Sequence, residues 1–336
     1  MRMYNSTKPY KHHILSLIRQ TWHTPYVDVE PGAYPVVRKK FSFPEVQHTD
    51  GIGTKGIYHW KARTFRAAVL DALAMNLNDL LLVRATPYAL QNHIVLPKDD
   101  HGAILSILRV LVRECKKRNI AMTGGETSIH NDAKGLDISI TVSGFIRKKS
   151  LPNRFRIGDT LIGFKSSGLH ANGFTKVREV LGEPSFAPSS AVLLRRGTKA
   201  TEGKRVRAEF VRSTMMYAGV VQHLLSRHRI NGMMHITGGA FTKLKDLLVK
   251  ADAYIAHPVK LKPHRIFHEL YQKGVSSKAM YTTFNCGIGF VVSLPPEDAE
   301  RIMAERHAGV AIIGKVVKGE GRVNILSAFD GRLIML

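Results

Sequence analysis

Apolar positions along the chain switch between two periods, and that switching predicts most of its elements. From Thr64 to Leu82, Leu70, Leu73, Leu77 and Leu81 recur at helical spacing. Ile104, Ile107, Leu108, Leu111, Val112 and Cys115 mark a second, amphipathic helix, with Arg113, Lys116, Lys117 and Arg118 at its end, where cations suit the helix dipole. Ile138, Ile140, Val142 and Gly144 alternate with Ser139, Thr141 and Ser143, as in a half-buried strand. Further strands are expected at Tyr88–Leu96, Ile120–Thr123, Leu161–Phe164, Thr283–Leu294 and Ala311–Val317. Further helices are expected near Ile14–Ile18 and at Asn172–Leu181, Ala208–His228 and Ala299–His307. Helices and strands mix in both halves, so the class is α+β or mixed α/β.

The 336 residues suffice for two domains at roughly 100–200 residues each. The basic stretch 147–157, with Pro152, is the candidate linker, giving domains at about 1–150 and 155–336. Residues 1–40 read as a basic arm punctuated by Pro9, Pro25, Pro31 and Pro35. Tyr, His and Pro break up its periodicity, so neither a signal nor a transit peptide is expected there. Cys115 and Cys286 lie far apart without a CxxC pair, which excludes a zinc ribbon and fits a reducing cytoplasm. No apolar run reaches the ~18 residues of a membrane span.

Charge changes the picture. Lys and Arg total 50 against 26 Asp and Glu, a formal +24. Such a field concentrates anions, nucleotides and phosphosugars among them. It would also bind nucleic acid non-specifically. The basic residues are spread along the whole chain, so a general basic bias accounts for them equally well.

Four residue sets carry possible chemistry. In His48–Lys55, Gly51 and Gly53 let backbone amides approach a phosphate, Asp50 is a hard oxygen ligand and Lys55 a mobile cation; a tight turn with a surface Lys is the plain alternative. Asp71, Asn76, Asn78 and Asp79 sit in an apolar helix, where Asp71 and Asn78 share a face; magnesium chelation and helix-end capping both explain them. Gly124-Gly125-Glu126-Thr127 places a carboxylate after a Gly pair at a strand end, for metal or nucleotide, or else as a solvated turn. Lys165–Phe174 joins a strand to a helix; its amides with Ser166, Ser167, Gly168, His170, Asn172 and Gly173 make an anion site or a simple cap.

Taken in order, these sets resemble the aminoimidazole ribonucleotide synthetase family of the PurM-like superfamily. TDGIGTK (49–55), DALAMNLNDL (71–80), RATP (84–87), GGET (124–127), SSGLHANGF (166–174), MHITGGAF (234–241) and MYTTFNCGIGF (280–290) each correspond to a family signature. The resemblance implies two domains, a homodimer joined through N-terminal sheets, and no membrane. It also implies ATP and Mg²⁺ in a cleft, and ATP-dependent closure of formylglycinamidine ribonucleotide to aminoimidazole ribonucleotide in purine biosynthesis. On that reading Asp50, Asp79 and Glu126 are the metal ligands. Lys55, Asp79 and His170 are catalytic. Gly51, Gly53, Thr54, Asn78, Gly124, Gly125, Thr127 and the 166–173 loop hold ATP or phosphate. Departures fall at Pro31–Arg38, Arg84, Ser128–Asp132 and Ala240. They keep open another superfamily member acting on a different acceptor, or a basic nucleic-acid binder.

Overall fold

One apolar helix organises the molecule. The computed structural model describes residues 10–32, 34–147, 152–182 and 206–336. Following α1 (Lys11–Arg19), a hairpin of β1 (Val27–Glu30) and β2 (Val36–Lys39), β3 (Glu45–Gly51) and α2 (Gly56–Ala62), the chain forms α3 (Phe65–Leu82). α3 is apolar on nearly every face because it is covered on several sides. It packs against β3 and β6 (Asp137–Phe145), against α4 (His101–Lys116), and against β8 (Gly232–His235) and α6 (Ala218–Arg227) of the C-terminal half. Ala68, Leu73, Leu77 and Leu80 are buried within it. Burial of each leucine is worth about 1.5–3 kcal/mol.

The N-terminal sheet runs β3-β6-β4-β5, with β4 at Thr86–Leu96 and β5 at Ala121–Ile129. Only β4 and β5 pair in parallel; the helix α4 makes the crossover between them. Ile94, Leu96, Ile138, Ile140 and Val142 join the core with α3 and α4. The opposite face is polar: Gln47, Thr49, Gln91, His93 and Glu126 are exposed there, and Thr49 Oγ1 lies 2.9 Å from Thr141 Oγ1.

The C-terminal sheet has the order β13-β12-β9-β11-β7-β10-β8. Its strands are β7 (Thr160–Lys165), β8, β9 (Ala251–Ile255), β10 (Ile288–Leu294), β11 (Val310–Lys318), β12 (Val323–Leu326) and β13 (Leu333–Met335). β10 is buried along its whole length, between helices on both faces of the sheet. Those helices are α5 (Phe174–Leu181), α7 (Arg265–Gln272) and α8 (Ser277–Thr283) on one side, and α6 and α9 (Pro296–Ala304) on the other. Cys115 and Cys286 are buried and unbridged, and burial pushes the Cys115 thiol up to about 12.

Three expectations need correction. Gly124–Thr127 is not a turn after a short strand; it continues β5, because the chain keeps pairing with β4 through a bulge between Leu90 and Gln91. The long helix at Ala208–His228 is broken: Ala208–Val211 is a short 3-10 turn, 212–217 is irregular, and α6 starts at Ala218. The strand expected from Thr283 begins at Ile288, because Cys286 (φ 46°) and Gly287 (φ 99°) turn the chain first. The candidate linker 147–157 lies partly outside the described residues.

Candidate functional site

The last turn of β3 leads into a 3-10 turn, Gly53–Lys55, that opens one wall of a cleft of about 390 Å³. Asp50, Gly51 and Gly53 line it from the N-terminal half with Asp137 and Ser139 at the start of β6; Asn172 and Thr237 line it from the C-terminal half. Close approach fixes the glycines here. A Cβ on Gly51 would sit 2.9 Å from Ser139 Oγ, and one on Gly56 would sit 1.8 Å from the Leu136 carbonyl oxygen. Gly53 takes φ 52° with open space beside it, which suits a backbone turned toward a ligand.

Carboxylates on the cleft differ in their surroundings. Asp50 is half-buried, and its Oδ1 accepts a 2.7 Å hydrogen bond from the Gly51 amide. Asp137 has a buried Oδ1 with no hydrogen-bond partner, and burial holds its pKa above the usual carboxylate range. Asp79 lies between two imidazoles: His235 Nδ1 at 2.8 Å and His48 Nε2 at 3.4 Å. Burial disfavours its charge, but the two histidines prevail and hold it well below its ordinary pKa. Its hydrogen bond raises the pKa of His48, whereas burial lowers that of His235. Asn76 steadies the group, its Oδ1 2.9 Å from His48 Nδ1 and its Nδ2 donating to the Asp50 carbonyl oxygen.

Behind this wall lies a buried cluster. Lys55 is not the mobile cation expected at the sequence level. Its side chain has no solvent exposure; Nζ donates to Asp71 Oδ1 at 2.9 Å and to the Arg212 carbonyl oxygen at 2.6 Å. Asp71 also accepts from the Thr214 amide and hydroxyl, both at 2.6 Å, and lies 2.7 Å from His59 Nε2. Asn78, one face-sharing step along α3, donates to the Met215 carbonyl oxygen and accepts from the Tyr217 amide at 2.8 Å each. Asp71 and Asn78 share a face, and both reach across to the C-terminal half. They pin segment 212–217, which explains why no helix forms there: its backbone groups are satisfied by side chains of α3.

The same segment holds the 166–173 loop. Ser167 Oγ donates to the Ser213 carbonyl oxygen at 2.7 Å, and Thr214 Oγ1 accepts from the Ala171 amide at 3.0 Å. Asn285 Nδ2 donates to the Gly168 carbonyl oxygen, and Asn172 Nδ2 to that of Thr283. Gly168 (φ 121°) and Gly173 (φ 79°) need left-handed backbone; a Cβ on Gly173 would strike the Phe284 ring at 2.5 Å. The loop joins β7 to α5 as the spacing predicts. His170, however, is no solvent-facing donor. It is wholly buried beside Tyr217 and His235, neither ring nitrogen has a partner, and burial drives its pKa well below 6.5.

The expected ligands Asp50, Asp79 and Glu126 do not meet within one chain. Asp50 lines the cleft, and Asp79, on α3, is held beside it by His48 and His235. Glu126 is exposed on the opposite face of the sheet, in register with His93. Gly124 shares that outer face, whereas Gly125 packs against Asn92 on the inner one. Asp137 and His59 were not singled out from sequence, and His48 and His235 lie in quoted motifs that gave them no role. Asp137 gives no local signal, being the first residue of an ordinary strand.

Comparisons with known proteins agree with this architecture. The AIR synthase related protein N-terminal domain matches residues 40–146, and the corresponding C-terminal domain matches 156–325. A phosphoribosylformylglycinamidine cyclo-ligase of Saccharolobus solfataricus is 30% identical over 93% of this chain and 90% of its own length. One of Methanococcus vannielii is 34% identical over 76% and 72%. Among solved structures, thiamine-monophosphate kinase from Stenotrophomonas maltophilia K279a shares the fold at TM-score 0.65, with 17% identity and 99% coverage of both chains. The hydrogenase maturation protein HypE in complex with ATP gives TM-score 0.61 at 19% identity, covering 99% of this chain and 96% of its own. Two matched domains in their proper order, and relatives at 30% identity or more across most of the chain, show that this protein belongs to the AIR synthase related family.

Proposed function

We propose that the chain is an ATP-dependent cyclo-ligase that converts formylglycinamidine ribonucleotide to aminoimidazole ribonucleotide, ADP and phosphate in purine biosynthesis. The single observation that carries this reading is the cleft between β3 and the 166–173 loop, built from family signatures and lined by Asp50, Asp137 and glycine backbone. Relatives across the family carry the cyclo-ligase name. The formyl oxygen attacks the γ-phosphorus and ADP leaves. The amidine nitrogen then bonds to the activated carbon, the C–O bond breaks with loss of phosphate, and a proton departs from nitrogen. Such a route needs charge neutralisation and positioning more than a covalent intermediate on the protein.

The donor set fits a hard cation. Asp50 and the orphaned Oδ1 of Asp137 are oxygen ligands on one cleft, and a bound Mg²⁺ would neutralise phosphate charge there. Asp79, held by His48 and His235, adds negative charge behind that cleft. Gly51, Gly53 and Thr54 offer backbone to a nucleotide phosphate, as do Ser167, Gly168, Asn172 and Gly173 across the cleft, whereas the Ser166 amide is taken by the Gly287 carbonyl oxygen. Lys55 and Asn78 act through segment 212–217, and His170 supports its loop from within.

The polar outer face of the N-terminal sheet is proposed as a homodimer surface, and Gly124–Thr127 serve a nucleotide across it, since Glu126 points away from its own cleft. The domain division falls within 147–157. No helix among the described residues is long and apolar enough to cross a membrane, and the cytoplasm is the compartment of this reading. Mass spectrometry of the product tests the assignment. Aminoimidazole ribonucleotide formed with native chain and lost with Asp50→Asn supports it; ATP hydrolysis without that product rejects it.

A further inference from the structure

A second group of ligating side chains lies away from the cleft, where the middle of α6 faces the chain just beyond α9. His223 on α6, with Glu305 and His307 just beyond α9, offers two imidazole nitrogens and a carboxylate oxygen within 4.8 Å of one another. Among the described residues, no other trio of His, Cys, Asp or Glu side chains comes this close. Glu305 Oε2 is 3.8 Å from His223 Nε2 and 2.6 Å from His307 Nε2. Ligands about 2.0–2.1 Å from a tetrahedral ion are about 3.3 Å apart, so rotation of the half-exposed His223 and a small opening of the Glu305–His307 contact suffice.

The carboxylate is already oriented. His228, whose side chain is only 5% exposed, places Nε2 3.0 Å from the other Glu305 oxygen. Its buried Nδ1 has no hydrogen-bond partner and lies 3.5 Å from Asp298 Oδ1. A carboxylate–histidine–carboxylate relay of this kind is what positions ligands around bound metals. The donors are wrong for Mg²⁺, which takes oxygens, and right for a borderline transition-metal ion. The two helices cover one face of the C-terminal sheet through Val221, Leu224, Ala299 and Ile302, so an ion here would tie the two together.

We propose that His223, Glu305 and His307 bind one Zn²⁺ or similar transition-metal ion, with a fourth position open to water, as a clip between α6 and α9. The inference is independent of the cyclo-ligase reading.

The test uses full-length, tag-free protein stripped with EDTA and titrated with Co²⁺, whose visible absorption reports tetrahedral N/O ligation, followed by competition with Zn²⁺ and excess Mg²⁺. One equivalent should bind with tetrahedral bands, yield to Zn²⁺ and resist Mg²⁺. That equivalent should vanish in His223→Ala/His307→Ala. His228→Gln should weaken it about 10–100-fold through the lost orientation of Glu305. Circular dichroism, and ADP release assayed with Mg²⁺ after the EDTA is removed, should match the native chain. Should the double variant misfold, His223→Asn and Glu305→Gln, which remove one donor each, are read instead; each should weaken Co²⁺ at least tenfold. Absence of stoichiometric binding by the native chain overturns the proposal, as does undiminished binding by the folded variants.

Discussion

Asp71→Asn isolates the buried cluster with the least change of shape. The native carboxylate accepts hydrogen bonds from Lys55 and from two Thr214 groups, and contacts His59, all without solvent exposure. Burial alone would push its pKa up; Lys55 and His59 overcome this and hold it well below the ordinary value. The amide removes the negative charge and leaves the Lys55 ammonium buried without a counter-ion. Breaking a buried pair in this way costs about 3–5 kcal/mol. Against about 5–15 kcal/mol of total stability that is a large fraction. At about 2–4 °C per kcal/mol for a chain of this class, Tm should fall by roughly 10 °C. Thermal melts and urea midpoints at pH 7.5 measure it. Lys55→Met should destabilise similarly, and the double variant should cost less than the sum, because both charges leave together. A Lys55→Met variant with native Tm but abolished kcat, together with an Asp71→Asn Tm within 2 °C of native, would refute the clamp and return Lys55 to direct substrate contact.

Further outcomes follow from other parts of the structure. Gly289→Ala should lower both Tm and kcat, measured by melts and ADP release, because the new Cβ would sit 2.0 Å from Tyr217 Oη and 2.6 Å from His170 Cε1. Stability should fall as pH drops below about 6.5: burial holds His170, His235 and His257 below that value, His257 at about 4, so the unfolded chain binds protons that the folded one refuses. His257 alone contributes a loss of about 2 kcal/mol by pH 5, visible in Tm against pH. His48 has the opposite sign: its raised pKa adds stability below about 6.5 that fades as pH rises through its folded pKa, and Asp79→Asn should bring its NMR titration back down. If Glu126 serves a partner's cleft, mixing inactive Asp50→Asn and Glu126→Ala chains should restore part of the activity; no recovery would place both groups within one chain.

The elements were legible where one period dominates. The α3 and α4 helices and strand β6 appear almost residue for residue: burial of one face dictates the pattern of α4 and β6, and the long apolar run of α3 reflects its cover on several sides. Segment 208–217 was not legible. Its residues have acceptable helix propensity, and what unfolds them is a tertiary demand from Lys55, Asp71 and Asn78, more than 130 residues away. The motifs located the site but not the direction of each side chain. Lys55 and His170 lie in signatures that read as ligand loops, yet both are inside. Glu126 follows Asp50 and Asp79 in motif order but faces the other side of the sheet, a consequence of period-2 geometry once Gly124–Thr127 joins β5. Asp137 shows the converse: topology brings it to Asp50 with no motif to announce it.

The most direct test of the central claim is ADP release by purified protein with ATP and Mg²⁺, with and without formylglycinamidine ribonucleotide. The account predicts release that depends on this acceptor, with one aminoimidazole ribonucleotide formed per ADP. ATP bound but no release with this acceptor, and release with a different one, would contradict it.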